Sequence, residues 1–392
     1  MIIVTGIDCP DAVKDTLKEV SDNYLLDDSY FLFPGFCDVH VHFREPGFSY
    51  KETLTSGSRA AAHGGYTAVC TMPNLNPVPD SKENLKVELE AIRKTGLIHI
   101  YPYGSITRNE EGQELADLIG MSKDVIAFSD DGKGVQSNEL MKQAMLQAKA
   151  LGKMIVAHCE DNSLLNGGYI HDGEYAKKNG HKGICSKSEY GQIKRDLRLV
   201  RETGCAYHVC HISCKESVEL IRQAKAEGLD VTCETAPHYL LLNDMQLQES
   251  GYFKMNPPIR SKDDQIALLK GLKDGTIDII ATDHAPHSKE EKSKGLKDSS
   301  FGISGIEYAF PLLYTGLVKR GFMTLEELLD KICDAPRRRF NIPYDGYSIW
   351  NMKQKEVISE DNFLSMSSAS PFIGTEVYGI NQTTVVDGKV VY

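Results

Sequence analysis

Two histidines stand two residues apart at the end of an apolar run, Phe36-Cys37-Asp38-Val39-His40-Val41-His42-Phe43. Residues two apart on an extended strand share a face. His40 and His42 therefore point the same way, and two imidazoles together can grip one cation. Taken alone, the pair is a weak signal and reads more readily as an ordinary core or surface pair. The rest of the chain repeats the pattern. Asp131 follows Phe128-Ser129-Asp130, His158 ends Ile155-Val156-Ala157, His211 ends His208-Val209-Cys210, and Asp283 ends Ile279-Ile280-Ala281-Thr282. Each is a ligand-type residue at the C-terminal end of a β-type run. Four imidazoles and two carboxylates suit two zinc-like ions better than one.

Other residues compete for such a role. His208, Cys210, His211 and Cys214 are crowded enough to be mistaken for a zinc finger. Strand alternation puts His208 and Cys210 on the face opposite His211, which argues against one shared ion. Cys159 and Cys210 lie in apolar company and read as inert packing, not nucleophiles. His63, His99, His171 and His181 read as ordinary polar histidines. His238 is ambiguous between facing a site and capping a loop. Glu160, Asp161 and Asn162, just past His158, either orient ligands or start a polar loop.

The elements that would position these residues alternate along the chain. β-type runs cover residues 36–43, 66–72, 97–104, 125–129, 154–159, 206–213, 229–235 and 277–282. Helical spacing covers 81–94, 138–151, 192–202, 215–227 and 263–273. Such alternation predicts an α/β fold, a (β/α)8 TIM barrel whose active site lies at the C-terminal ends of its strands. An open doubly wound sheet is the alternative. Residues 36–340 form the expected barrel. Residues 1–35 and 341–392 lie outside the alternation and are expected to join into a small β appendage. Asp387-Gly388 between two β-type runs signals a hairpin there. The segments 166–183 and 288–300 read as loops.

Composition narrows the classes. Hydrophobic residues at 41% and charged residues at 25% of 392 are ordinary for a folded chain and exclude a disordered one. A net charge of −11 argues against nucleic acid or an anionic membrane as the main partner. It leaves room for a small anionic substrate, since one arginine and a metal reverse the field locally. Ten irregularly spaced cysteines do not make a disulfide framework and suggest a reducing, cytoplasmic compartment. No secretory signal and no apolar stretch of about 20 residues is visible.

At the level of motifs the chain resembles the type I dihydroorotases of the amidohydrolase superfamily. One signature is Pro34-Gly35-Phe36-Cys37-Asp38-Val39-His40-Val41-His42-Phe43-Arg44, and the other is Thr282-Asp283-His284-Ala285-Pro286-His287 followed by Lys292. Between them lie Met72-Pro73-Asn74, Asp130-Asp131-Gly132, Ala157-His158-Cys159-Glu160, His208-Val209-Cys210-His211 and Met255-Asn256-Pro257-Pro258. The resemblance implies zinc, one or two ions, held by His40, His42, Asp131, His158, His211 and Asp283. Asp131 stands where hydantoinases and many other relatives carry a carboxylated lysine. The resemblance also implies that Arg44, Asn74 and His287 hold a substrate carboxylate and that Asn256 contacts the substrate ring. Asp283 would move the proton in catalysis. The implied reaction is reversible opening of dihydroorotate to N-carbamoyl-L-aspartate.

The chemistry agrees. Opening a cyclic amide at neutral pH needs an ionised water, which zinc supplies. Arg44, two residues past His42, would share its face in extended geometry and hold a carboxylate bidentately; a surface salt bridge is the plain alternative. Family members usually carry a longer N-terminal segment before the first barrel strand, whereas residues 11–22 here look helical and polar. A hydantoinase or allantoinase, and a non-catalytic scaffold partner, are the other functional readings. Homo-oligomerisation and association with aspartate transcarbamoylase are implied only by resemblance.

Overall fold

The structure, a computed structural model, describes residues 4–5 and 29–392. The helix expected over 11–22 lies outside the described residues. Three strands, Phe36–Val41, Tyr66–Thr71 and His99–Pro102, form one parallel sheet. Four more, Ile155–Ala157, Tyr207–Val209, Val231–Thr235 and Ile279–Ile280, form a second parallel sheet. Parallel neighbours need a crossover, and helices supply it. Among them are Lys82–Thr95, Asn138–Ala150, Lys187–Thr203, Lys215–Ala226 and Lys262–Lys273.

The run at 125–129 differs from expectation, because it holds only single parallel bridges, Gly104↔Phe128 and Phe128↔Ile155. Its backbone still reaches both neighbours: Ile126 N donates to Pro102 O at 2.9 Å and Val156 N to Phe128 O at 2.9 Å. At the far side Val41 bridges His284 in parallel, and His42 N donates to His284 O at 2.8 Å.

Residue size and alternation sort the core. Cys37, Val39, Ala68, Cys70, Ala127, Val156, Cys210, Ile279 and Ala281 pack together with Phe340 in one buried cluster. Val41, Val69 and Val209 join the helices in another. Apart from His99–Pro102, where His99 and Tyr101 are only half-buried, both faces of the strands are largely buried, which is why the runs read as nearly continuous hydrophobics. The helices present apolar stripes at 3.6-residue spacing; on Asn138–Ala150 the buried positions are Met141, Ala144, Met145 and Ala148. Ser81, Ser137 and Ser261 cap their helices by accepting from a backbone amide three residues on.

An antiparallel sheet runs in the order Val4–Thr5, Tyr30–Pro34, Gly346–Val357, Glu376–Val386, Lys389–Val390. Asp387 and Gly388 take φ of 49° and 75° at its last turn, the left-handed pair a two-residue hairpin requires. Phe33 and Trp350 from this sheet stack on Phe36 of the first parallel strand. The two segments expected to be loops hold short elements instead. Residues 166–183 contain the strand Ile170–His171 and the helix Glu174–Asn179; residues 288–300 contain helices Lys289–Lys292 and Gly295–Asp298. The former of these last two rests on the Ser288–Glu291 capping box, a local signal that periodicity does not register. Among the described residues, no helix is long and apolar enough to cross a membrane.

Candidate metal centre and active site

The strand ends converge on one cavity of about 270 Å³. His42, Asp131, His158, His211 and Asp283 line it, together with Arg44, Asn74, Asn256 and His287. His40 lies directly behind, fully buried. All ten residues singled out from the sequence thus meet in one place.

The spacing of the donors is informative. His40 Nε2 lies 3.4 Å from Asp131 Oδ1 and 3.5 Å from Asp283 Oδ1. His42 Nε2 lies 3.5 Å from Asp131 Oδ2 and 3.3 Å from Asp283 Oδ1. His211 Nε2 and His158 Nδ1 lie 3.6 and 3.7 Å from Asp131 Oδ1. These gaps are too long for good hydrogen bonds. They match the roughly 3.3 Å edge of a tetrahedron whose ligands sit about 2.0–2.1 Å from a central ion. His40 Nε2 and Asp131 Oδ1 are buried without a hydrogen-bond partner, which a shared cation would satisfy. Two overlapping donor groups, His40–Asp131–His211 and His40–His42–Asp283, are each compact enough for one ion. The residues present therefore fit a metal. Burial works against charge on Asp131 and Asp283, but the surrounding imidazoles outweigh it and hold both below the usual carboxylate range.

Local backbone geometry aims these groups. The ladder between the first two strands is irregular between Asp38 and Val41, so His40 leaves strict alternation. His211 and Asp283 adopt φ of 30° and 48°, left-handed values that turn each side chain at the strand end. As expected, none of the compact donor groups joins His211 with His208 or Cys210, although strict alternation does not hold at His211. The kink brings its ring to 4.9 Å from that of His40, and Cys210 joins His40 and Glu234 in a further compact donor group. Asp38 ties the first strand to the last: its carboxylate accepts from His40 N (3.0 Å) and from Thr282 Oγ1 (2.5 Å).

Glu234 escaped the sequence reading. Its Oε1 accepts from His40 Nδ1 at 2.6 Å and from His211 N at 3.2 Å, and its Oε2 accepts from His208 Nε2 at 3.1 Å. A donor at His40 Nδ1 leaves the Nε2 lone pair facing the carboxylates, the orientation a metal ligand needs. Burial opposes ionisation of Glu234, yet His40 and His208 hold it well below the ordinary range. The available signal was a charge inside an apolar strand, Val231-Thr232-Cys233-Glu234-Thr235.

The residues that the resemblance assigns to the substrate sit on loops. Arg44 lies past the strand with φ of 53°, not in the extended geometry expected, yet it still reaches the cavity. It donates through Nε to Pro286 O at 3.2 Å and through Nη2 to His287 Nε2 at 3.3 Å. Burial pushes it down to about 10, so it stays charged at neutral pH. Burial, with the charges of Arg44 and Lys51, pushes His287 down to about 3, leaving a neutral ring. Asn74 Nδ2 donates to Asp131 O at 2.6 Å and to Glu110 Oε1 at 3.2 Å. Asn256 Nδ2 donates to Glu160 Oε1 at 2.9 Å, which gives Glu160 a role in orienting the pocket wall. Asn74 Oδ1 and Asn256 Oδ1 have no partner. Gly132, Ala285, Phe301 and Gly302, not singled out from the sequence, complete the wall.

Four of the other histidines have polar partners. His63 pairs with Glu307 and His181 with Glu249, each at 2.7 Å, and His99 with Asp387 at 3.0 Å. His171 Nδ1 meets Arg260 at 3.4 Å. His238 is buried beside Thr282, off the main cavity.

An α/β fold carrying this donor set at its strand ends defines a hydrolase of the amidohydrolase kind. Solved structures agree: L-hydantoinase (dihydropyrimidinase) from Arthrobacter aurescens matches with a TM-score of 0.81 at 26% identity, over 94% of this chain and 88% of that one. Dihydropyrimidinase from Brevibacillus agri matches equally well in fold at 21% identity, over 94% and 87%. A dihydro-orotase-like family model matches residues 29–217. A dihydroorotase of Fusobacterium nucleatum is 48% identical over 95% of this chain and 90% of its own, and one of Ligilactobacillus salivarius 48% identical over 99% and 92%. The chain belongs to the dihydroorotase family.

Proposed function

We propose that this protein catalyses the reversible hydrolysis of the cyclic amide of (S)-dihydroorotate to N-carbamoyl-L-aspartate, in de novo pyrimidine (UMP) synthesis. The observation that carries this reading is a charged guanidinium, Arg44, lining the same cavity as the donor cluster. Dihydroorotate offers a cyclic amide to the one and a carboxylate to the other.

His40, His42, Asp131, His158, His211 and Asp283 would hold one or two ions; zinc suits this mixture of imidazole and carboxylate. The metal, when bound, supplies a water ionised near neutral pH and a Lewis acid for the amide carbonyl. Arg44 grips the substrate carboxylate bidentately, and neutral His287 orients the guanidinium while adding a contact. Asn256 offers Oδ1 to a ring N–H. Asn74 is assigned to the carboxylate, and to donate there its amide must leave Glu110. Asp283 takes a proton from the attacking water on a carboxylate oxygen and delivers it to the ring nitrogen as the C–N bond breaks.

The framework behind this site is read as one (β/α)8 barrel over residues 36–340. The parallel bridges at Phe128 and His284, which link the edges of the two parallel sheets, support closure. Residues 1–35 and 341–392 are read as the β appendage. The nine described cysteines are all unpaired, which supports a reducing, cytoplasmic setting. Self-association, or contact with aspartate transcarbamoylase, rests on family resemblance, and size-exclusion chromatography alone and with that enzyme tests it.

Loss of dihydroorotate absorbance is the direct assay. Activity should vanish with a chelator and return with zinc. No turnover with metal bound would overturn the reading and favour the second one, an uncharged cyclic amide such as a hydantoin or allantoin, which the hydantoinase-like fold recommends.

A further inference from the structure

Lys292 is a buried lysine that does not line the cavity. Only 2% of its surface is exposed. Its Nζ donates to three backbone carbonyls: Lys254 O at 3.1 Å, Ser300 O at 2.8 Å and Gly302 O at 2.6 Å. An ammonium has three hydrogens and no acceptor, so three converging carbonyls use all of its capacity. Burying such a charge is costly without full pairing. A side chain whose only task is to fill space would not need it.

The three segments it joins are walls of the substrate half of the cavity. Lys254 lies two residues before Asn256. Phe301 and Gly302 line the cavity themselves. Lys292 closes the short helix Lys289–Lys292, which follows His287 and Ser288. Further bonds lock the same seam: Gly302 N donates to Lys254 O at 3.1 Å, and Ala285 N to Ile303 O at 2.8 Å. Gly302 is at φ +131°, and a Cβ there would fall 2.4 Å from Ala285 O, so the wall packs backbone against backbone. One side chain of the seam itself also crosses it: Lys254 Nζ donates to Lys297 O at 2.7 Å and lies 4.4 Å from the centre of the Phe301 ring. Lys292 adds, from outside the seam, the contact that joins Lys254, Ser300 and Gly302 through one atom.

We propose that Lys292 is a positioning residue for substrate binding, which sets the distance between the Asn256 wall and the His287–Gly302 wall so that both ends of the substrate are met at once. The proposal rests on the dihydroorotate reading of the cavity. Loosening these walls weakens ground-state binding and leaves the donor cluster, built on strand ends, undisturbed. Its signature is therefore a split between KM and kcat.

The test compares wild type with Lys292→Met and Lys292→Gln, the latter keeping two donors should the former misfold. Three quantities are read: steady-state constants with dihydroorotate, bound metal, and amide hydrogen exchange. In Lys292→Met, KM should rise about tenfold while kcat stays within about threefold and metal content is unchanged, with a smaller rise in Lys292→Gln. Amide exchange should accelerate over residues 254–256 and 300–303 and stay at the wild-type level in the strands. An unchanged KM in either soluble variant overturns the proposal. So does a fall in kcat that tracks lost metal, or exchange that accelerates throughout the chain. The exchange measurement needs no substrate. Wild-type protein that fails to turn over dihydroorotate therefore defeats the functional reading while the claim that Lys292 locks these walls is still judged.

Discussion

The two halves of the cavity are built differently. The donor half stands on strand ends, braced from behind by carboxylates: Asp38 ties His40 to Thr282, and Glu234 holds His40 and the His211 amide. The half assigned to the substrate stands on loops, braced by backbone carbonyls, amide side chains and the buried lysines Lys254 and Lys292. Hydrogen-bonded strands fix a side chain closely, whereas a loop can change length or residue at small cost to the framework. The difference teaches that catalytic apparatus and substrate choice can vary independently here.

Changes in each half should have separable effects. The largest belongs to the donor half. On the proposed function Asp283→Ala removes both a metal donor and the proton carrier, and kcat should fall about a thousandfold or more; stopped-time assays at saturating dihydroorotate measure it. If turnover survives at near wild-type rate in metal-replete protein, Asp283 is not the proton carrier. The substrate half comes next. Arg44→Ala should cut kcat/KM for dihydroorotate about a hundredfold, mainly through KM, and leave turnover of an uncharged cyclic imide nearly unchanged. Equal losses on both substrates would erase the division between the halves. Glu234→Gln lies behind the donor half and touches no substrate. It should weaken metal affinity about 10- to 100-fold, read by competition with a chromophoric chelator, and activity should recover at high metal concentration.

The smallest effect lies outside both halves and serves as a control. Glu88, on the helix Lys82–Thr95, is buried at 1% exposure, with Oε1 accepting from Thr71 Oγ1 at 2.9 Å and Oε2 without a partner. Burial pushes its carboxyl up to about 8, against the single hydrogen bond that lowers it. The folded state thus holds a proton that the unfolded chain releases near pH 4.5, and stability falls as pH rises from there toward 8. Glu88→Gln should raise the melting temperature by a few degrees at pH 8, have little effect near pH 4, and leave kcat and KM alone. A thermal shift that does not depend on pH would contradict the buried-proton account.

The donors were legible because their signal is local. A histidine or aspartate closing a β-type run is visible without knowing what the run pairs with, and strand ends are where such folds gather active-site groups. His40, His42, Asp131, His158, His211 and Asp283 all satisfy this test. The helices were legible for a similar reason, since an apolar stripe such as Met141, Ala144, Met145 and Ala148 is written in the spacing. The short helix Lys289–Lys292 was not, because one turn is too brief to show a period and rests on its cap. The expected placement of Arg44 on the strand face failed in geometry but not in destination. Its φ of 53° takes it off the strand, and the Pro286 carbonyl and His287 return it to the cavity.

By itself, then, the amino-acid sequence determined the residue types at the strand ends, the order of strands and helices, and a net charge unsuited to a nucleic-acid surface. Tertiary structure alone decided what stands behind and around those residues. Glu234 meets His40 across 194 positions of chain because the strands that carry them both run inward to one interior. A left-handed turn at His211 overrode the alternation that would have pointed it away from the interior that Cys210 faces. Lys292 finds carbonyls 8, 10 and 38 residues away because three loops close over one seam. Periodicity is a property of neighbours in sequence, whereas the pairing of a buried charge depends on which distant segments share its cavity.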